Sequence, residues 1–142
     1  MTDVEPQPAP NTLVEREVTI PASPEIVWEY LTDPDRIVSW MGSRAELEPV
    51  PGSDLRVEYA NGAVMRGTVT DVEAPSRLAF TWGWEDPAEA VRPGGSRVEV
   101  TLEEMAGGTR VLVRHLDLPE AERESHAEGW DYFLGRLADA VG

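Results

Sequence analysis

The chain of 142 residues contains no cysteine and no lysine. The first absence removes disulfides, thiolate metal sites and cysteine nucleophiles, and it suits a reducing compartment. A cytoplasmic location is the expectation. No apolar run approaches the ~20 residues needed to span a bilayer. The N-terminus lacks a basic patch followed by an apolar stretch, so no secretory signal is expected. Basic residues are scarce: 12, all arginine, against 27 Asp and Glu, for a net charge of −15. A field of that sign repels phosphate backbones and anionic lipid, which argues against nucleic acid and membrane as partners. Its plain reading is solubility. Nucleophile elbow, phosphate loop, dinucleotide fingerprint and zinc motif are all missing. No catalytic residue, metal or cofactor is therefore assigned.

What is there suits one ordinary domain, with 41% apolar residues and length enough for a real core. Residues 1–12, with Pro6, Pro8 and Pro10, read as a flexible tail, and residues 13–142 as a single domain. Leu13 to Ile20 alternates as a strand with one buried face: Val14, Val18 and Ile20 point inward. Arg16 falls on that apolar side, so either the strand start is exposed or Arg16 points into a cavity. Ser23-Pro24-Glu25 is a helix start, with a capping Ser, Pro in the first turn and an acid where the dipole favours it. Ile26, Val27, Tyr30 and Leu31 would form its apolar face. Asp33-Pro34-Asp35 repeats the signal, so a second short helix should follow through Trp40 and Met41.

From Ser43 to His115 the period is two. Strands are expected at residues 44–49, 54–59, 64–72, 78–84, 96–104 and 109–116. Asn61-Gly62, Gly94-Gly95 and Gly107-Gly108 between them supply the positive φ that tight hairpins need. Leu78, Phe80, Trp82 and Trp84 share one strand face, too much aromatic surface to leave wet. Residues 85–95 form a long loop, readable as a lid or as plain surface. The last element repays the debt of cover. Trp130, Phe133, Leu134, Leu137 and Val141 recur at helical spacing, predicting an amphipathic helix from about Pro119 to the end.

Helix and sheet would then enclose an apolar pocket. The lining expected from the sheet side and the first short helix is Arg16, Trp28, Tyr59, Phe80, Trp82 and Trp84. From the last strand and the helix it is His115, His126, Trp130, Phe133, Leu134 and Leu137. Thr81 and Tyr132 are further polar candidates, dependent on strand register. His115 and His126 could hold a metal with Glu122, one helical turn before His126, but nothing else in the spacing supports that. Each histidine is better read as capping backbone groups or lining the pocket entrance. Asp71 and Glu104 sit on apolar faces, which strand-end exposure explains.

The order strand, two short helices, meander, long terminal helix resembles the START-like (SRPBCC) helix-grip superfamily. Within it the chain is similar to the family named after the activator of heat-shock-protein-90 ATPase homologue. The matching pieces are Pro21 to Trp28, Asp33-Pro34 ahead of Trp40, Gly67-Thr68-Val69, Pro75 to Trp82, Gly108 to Val111, and His126-Ala127-Glu128-Gly129-Trp130. The resemblance implies an α+β fold: a seven-stranded curved antiparallel sheet wrapped around a long C-terminal helix, with two short helices after the first strand. It assigns Gly129-Trp130 a packing role, Gly permitting close helix–sheet approach and Trp filling the core. It further implies a cavity between sheet and helix that holds an apolar molecule; with no catalytic motif in the sequence, the expected function is non-catalytic binding of a small hydrophobic molecule there. The alternatives are a polyketide cyclase or dehydratase-like enzyme and a chaperone-associated stress-response module. The mostly polar outward strand positions disfavour a chaperone contact. A homodimer through the outer sheet face stays open.

Overall fold

The computed structural model describes residues 13–142. The expected tail at residues 1–12 lies outside the described residues. The element order is β1 (Leu13–Ile20), α1 (Pro24–Thr32), α2 (Pro34–Ile37), β2 (Arg44–Glu46), β3 (Asp54–Glu58), β4 (Val64–Glu73), β5 (Arg77–Trp84), β6 (Ser96–Met105), β7 (Gly108–Leu116) and α3 (Glu120–Val141). The strands form one seven-stranded sheet in the order β1-β7-β6-β5-β4-β3-β2, antiparallel throughout. It is a meander whose edge is closed by the first strand, as the hairpin signals imply. A bulge between Val69 and Asp71 of β4 shifts the register against β5. An extra residue on one strand bends it and increases local twist, which helps the sheet curl around α3.

Local chemistry sets the short helices. Ser23 Oγ accepts from the Ile26 N–H, and Asp33 Oδ1 accepts from the Asp35 N–H at 3.0 Å. Each cap satisfies a backbone donor that the helix itself cannot. α2 is shorter than its sequence pattern suggests and ends at Ile37; Trp40 and Met41 lie in the turn beyond it, both buried. The Trp40 indole donates to the Tyr30 carbonyl at 2.8 Å, tying the two helices together. In α1 the buried face is Pro24, Val27 and Leu31, while Ile26 is 46% exposed. The expected apolar face of α1 was therefore rotated: Ile26 precedes Val27 and Leu31 by one and five positions, off their i, i+4 row.

The core lies between the concave sheet face and α3. Trp130, Leu134 and Leu137 are buried on α3, each stabilising by about 1.5–3 kcal/mol if fully removed from water. Two ion-paired or hydrogen-bonded arginines fix the helix laterally. Arg16 Nε meets Asp131 Oδ1 at 2.9 Å from β1, and Arg136 Nε donates to the Trp40 carbonyl at 3.2 Å. The convex face is polar. Glu99 sits within 4 Å of Arg77, Arg97 and Arg114, and Arg110 bridges Glu17 and Glu103. No helix among the described residues is long and apolar enough to cross a membrane.

Candidate functional site

The space between sheet and helix is divided. Beneath the C-terminal half of α3 the void is about 40 Å³, lined by apolar side chains including Phe80, Leu134 and Leu137. Beneath the N-terminal half lies a cavity of about 370 Å³. Trp130 borders both spaces. The expected pocket is thus packed nearly solid in its interior and roomy at one end. The roomy end is bounded by the β3–β4 hairpin, the end of β5, the β5–β6 loop and the first turns of α3.

Its walls are aromatic. Trp82 and Trp84 project from β5 on the same side, since alternate strand residues share a face, and their rings meet edge to face at 5.6 Å. Trp82 also packs against Trp130 at 5.4 Å. Tyr59, just beyond β3, lies 5.6 Å from Trp84 and 5.7 Å from Phe133 of α3. The rim is polar: Asn61 from the hairpin, Glu89 from the long loop, and Glu122 and Ser125 from α3. The loop is held down by the Arg92 guanidinium, which donates to the carbonyls of Trp84 and Asp86, while Val91 is buried. Gly83 makes this possible, because a Cβ there would run into the Arg92–Pro93 backbone.

His126 lines the cavity and His115 lies fully buried behind its wall, and their partners fix their tautomers. The Trp130 indole N–H, which can only donate, points to His115 Nδ1 at 3.1 Å. The ring proton must then reside on Nε2, which donates to Ser96 Oγ at 2.9 Å, and the Ser96 hydroxyl in turn donates to the Trp82 carbonyl at 2.8 Å. Burial, and secondly the repulsion that a proton on His115 would meet from the adjacent His126 imidazole, pull His115 down to about 3, so the ring is neutral. In the same way the Trp84 indole donates to His126 Nε2 at 3.2 Å. His126 Nδ1 carries the proton and donates to the Glu122 carbonyl at 2.7 Å, one turn earlier. The two rings pack edge to face at 5.4 Å. Among the described residues no group of three or more His, Asp or Glu is gathered to hold a metal.

Two polar atoms of the wall have no such partner. Trp82 Nε1 and the Tyr59 hydroxyl are both buried without a hydrogen bond among the described residues. Burial pushes the Tyr59 phenol well above its usual range, so it keeps its proton as a donor. A buried unpaired donor costs about 1–3 kcal/mol. Glu89 and Glu122 are also without an ion-pair partner among the described residues, whereas neighbouring Glu85 is held by Arg56 and Arg66 at 3.3 and 2.8 Å.

The structure brings together at this cavity Tyr59, Trp82, Trp84, His126, Trp130 and Phe133 of the expected lining. Phe80, Leu134 and Leu137 face the small inner void instead. His115 is fully buried behind Trp82 and Trp130. Arg16 is inward-facing but spent on Asp131 at the edge of α3, and Trp28 packs half-buried against the core; neither lines either space. Thr81 points outward, where its hydroxyl accepts from the Thr68 N–H, and Tyr132 is 60% exposed. Asp71 and Glu104 are exposed, as strand ends are. Gly129 needs correction: a Cβ there would meet nothing within 4 Å, so it serves no close helix–sheet approach. It lines the cavity and leaves space. The residues not foreseen as lining are Asn61, Ala63, Glu89, Glu122, Ser125 and Gly129. Glu122, Ser125, Gly129 and Phe133 follow the helical repeat, a row visible in the sequence once polar residues are admitted to it.

A family model described as Activator of Hsp90 ATPase homolog 1-like protein matches residues 21–142. No curated protein matches significantly. Among solved structures, DynU16, a protein of the dynemicin biosynthetic locus, is 31% identical with a TM-score of 0.82, over 93% of this chain and 48% of its own. The chain therefore spans about half the length of that relative. Protein MLL2253 from Mesorhizobium loti is 27% identical with a TM-score of 0.80, over 91% of this chain and 96% of its own. The Aha1 dimer from Colwellia psychrerythraea is 23% identical with a TM-score of 0.77, over 91% and 95%, a likeness of fold.

Proposed function

The chain belongs to the Activator of Hsp90 ATPase homolog 1-like family, and from that premise we propose that residues 13–142 act as one START-like domain that binds a small, largely apolar molecule in its end cavity without transforming it. The observation that carries this is the cavity itself: about 370 Å³, walled by aromatic rings and rimmed by a few polar groups. That is the size and composition of small-molecule sites. His126 is the obvious acid–base candidate in the wall, yet both its nitrogens are engaged, one by Trp84 and one by the Glu122 carbonyl. A proton-transfer group needs a nitrogen within reach of substrate. The cytoplasmic location read from the sequence belongs with this proposal.

Native mass spectrometry of freshly purified protein, set beside the denatured mass, tests it. Extra mass that disappears on denaturation supports binding and identifies the ligand class on extraction. A bare mass, together with no change in tryptophan fluorescence across a panel of apolar aromatics, overturns it.

A cyclase-like reading draws support from DynU16 belonging to a biosynthetic locus and from Glu122, Ser125 and His126 on the cavity wall. Turnover of a polyketide-like chain, abolished by His126→Ala, would establish it over simple binding. A chaperone contact is less well supported, since the exposed large apolar residues Ile26, Val50, Met105 and Tyr132 sit on separate elements. A pull-down with the host chaperone at moderate salt decides that point. The Colwellia relative is a dimer, and light scattering on a sizing column distinguishes monomer from homodimer here.

A further inference from the structure

We propose, resting on the binding reading above, that the molecule held in the end cavity is a flat aromatic compound carrying an acceptor oxygen and a cationic amine. Three separate features of the cavity each specify one part of that description.

The rings specify the aromatic body. Tyr59, Trp82 and Trp84 come from the sheet side and Trp130 and Phe133 from α3, with neighbouring centroids 5.4–5.7 Å apart. Such faces favour stacked or edge-on aromatic partners over flexible aliphatic chains. The volume admits roughly two or three fused rings, at the small end of ligand sites.

The unsatisfied donors specify the oxygen. The cavity wall includes three indoles, and two of them spend their N–H on a histidine: Trp84 on His126 and Trp130 on His115. Trp82, only 4% exposed, has no acceptor, and neither has the Tyr59 hydroxyl. The protein supplies the donors but not their partner. A ligand carbonyl or ether oxygen that reaches either donor pairs it, and a pure hydrocarbon leaves both unpaired.

The rim specifies the charge. Glu89 and Glu122 line the cavity, no arginine lines it, and neither carboxylate is ion-paired among the described residues. Neighbouring Glu85, by contrast, is neutralised by two arginines, and the overall charge of −15 adds to the same field at the rim. Unpaired carboxylates beside aromatic faces attract a cation by both Coulomb and cation–π terms. The same arrangement repels an anion.

The test is calorimetric titration of the full chain with four probes on related ring systems. N-(2-dimethylaminoethyl)-1,8-naphthalimide has carbonyls and a cationic amine. N-butyl-1,8-naphthalimide keeps the carbonyls and is neutral. N-(2-carboxyethyl)-1,8-naphthalimide is anionic. N,N-dimethyl-2-(1-naphthyl)ethylamine has the cation and no carbonyl. The cationic imide should bind tightest, with the neutral imide about 3–10-fold weaker for the loss of two partly exposed charge contacts, and the anion weakest. Glu89→Gln with Glu122→Gln should bring the cationic imide to the neutral one's affinity and leave the neutral one unchanged. Tyr59→Phe should weaken both imides roughly 2–10-fold and leave the naphthyl amine unmoved. Circular dichroism confirms that each variant is folded. Equal affinity for cation, neutral and anion, or indifference to the Gln pair and to Tyr59→Phe, overturns this assignment and leaves the binding reading standing. Silence from all four probes with a bare native mass removes both.

Discussion

Replacing His115 by Gln should flatten the acid limb of the protein's stability curve. His115 is fully buried, accepts the Trp130 N–H at 3.1 Å and donates to Ser96 at 2.9 Å. An imidazolium would place an N–H against the indole N–H, so protonation must break this chain. The folded pKa, about 3, lies below the ordinary 6.5. The neutral ring's contribution is therefore complete above about pH 6.5 and is lost as pH falls toward about 3. Between those limits the unfolded chain binds the extra proton, and linkage gives a slope approaching ~1.4 kcal/mol per pH unit. From pH 7.5 to pH 5 the loss is about 2 kcal/mol from this one residue. Glu17 and Glu85, held below their usual 4.5 by hydrogen bonds from Arg110 and Arg66 respectively, lose their contributions only at lower pH. Gln offers an acceptor and a donor of similar reach without a titratable proton. Urea unfolding followed by far-UV circular dichroism at pH 7.5, 6 and 5 measures the effect. The wild type should lose about 2 kcal/mol more than His115→Gln over that interval. Parallel loss in both proteins would refute the tautomer chain and the buried neutral ring it depends on.

Three further outcomes follow from single side chains. Gly129→Ala should raise stability by about 0.5–1 kcal/mol, since a mid-helix Gly is costly and a Cβ there meets nothing; Gly129→Leu should remain folded in thermal melts yet lose probe binding by filling the cavity. Ser96→Ala should cost about 1–3 kcal/mol in urea unfolding, because it strips the acceptor from His115 Nε2–H in a dry setting where Ser96 is 3% exposed. Gly83→Ala should cost about 1–3 kcal/mol through a forced backbone shift and expose residues 85–95 to limited proteolysis, since Arg92 and Pro93 lie where the Cβ would go.

Much of the fold was legible because it rests on signals that tertiary context reinforces. Every strand of the meander is bounded by turn chemistry, and β1 and α3 fall where alternation and helical spacing place them. Errors arose where a local pattern met a packing constraint that it does not encode. Ile26 is apolar and adjacent to buried residues, yet it faces out, because α1 rests on the sheet through Pro24, Val27 and Leu31. Arg16 has the right parity for the cavity, but β1 is the sheet edge, and Asp131 of α3 is within reach there.

The cavity was half legible for a physical reason that bears on its use. The aromatic side could be read from Trp82 and Trp84, because an apolar face must be covered. The helical side could not be read from apolar spacing, because the apolar row on α3 begins at Trp130, and upstream of it the same side of the helix carries Glu122, Ser125, His126 and Gly129. A helix built only to cap this sheet would continue its apolar row over Trp84 and Tyr59. Instead the row changes to polar residues and a glycine just where the strand aromatics are largest, and the sheet–helix gap there stays open at about 370 Å³ while the rest closes to about 40 Å³. Packing alone favours the opposite choice, since interiors close to crystal-like density and each void forfeits contacts. The interrupted row therefore marks the point at which the sequence departs from the most stable cap, and such departures concentrate where a protein meets something other than itself.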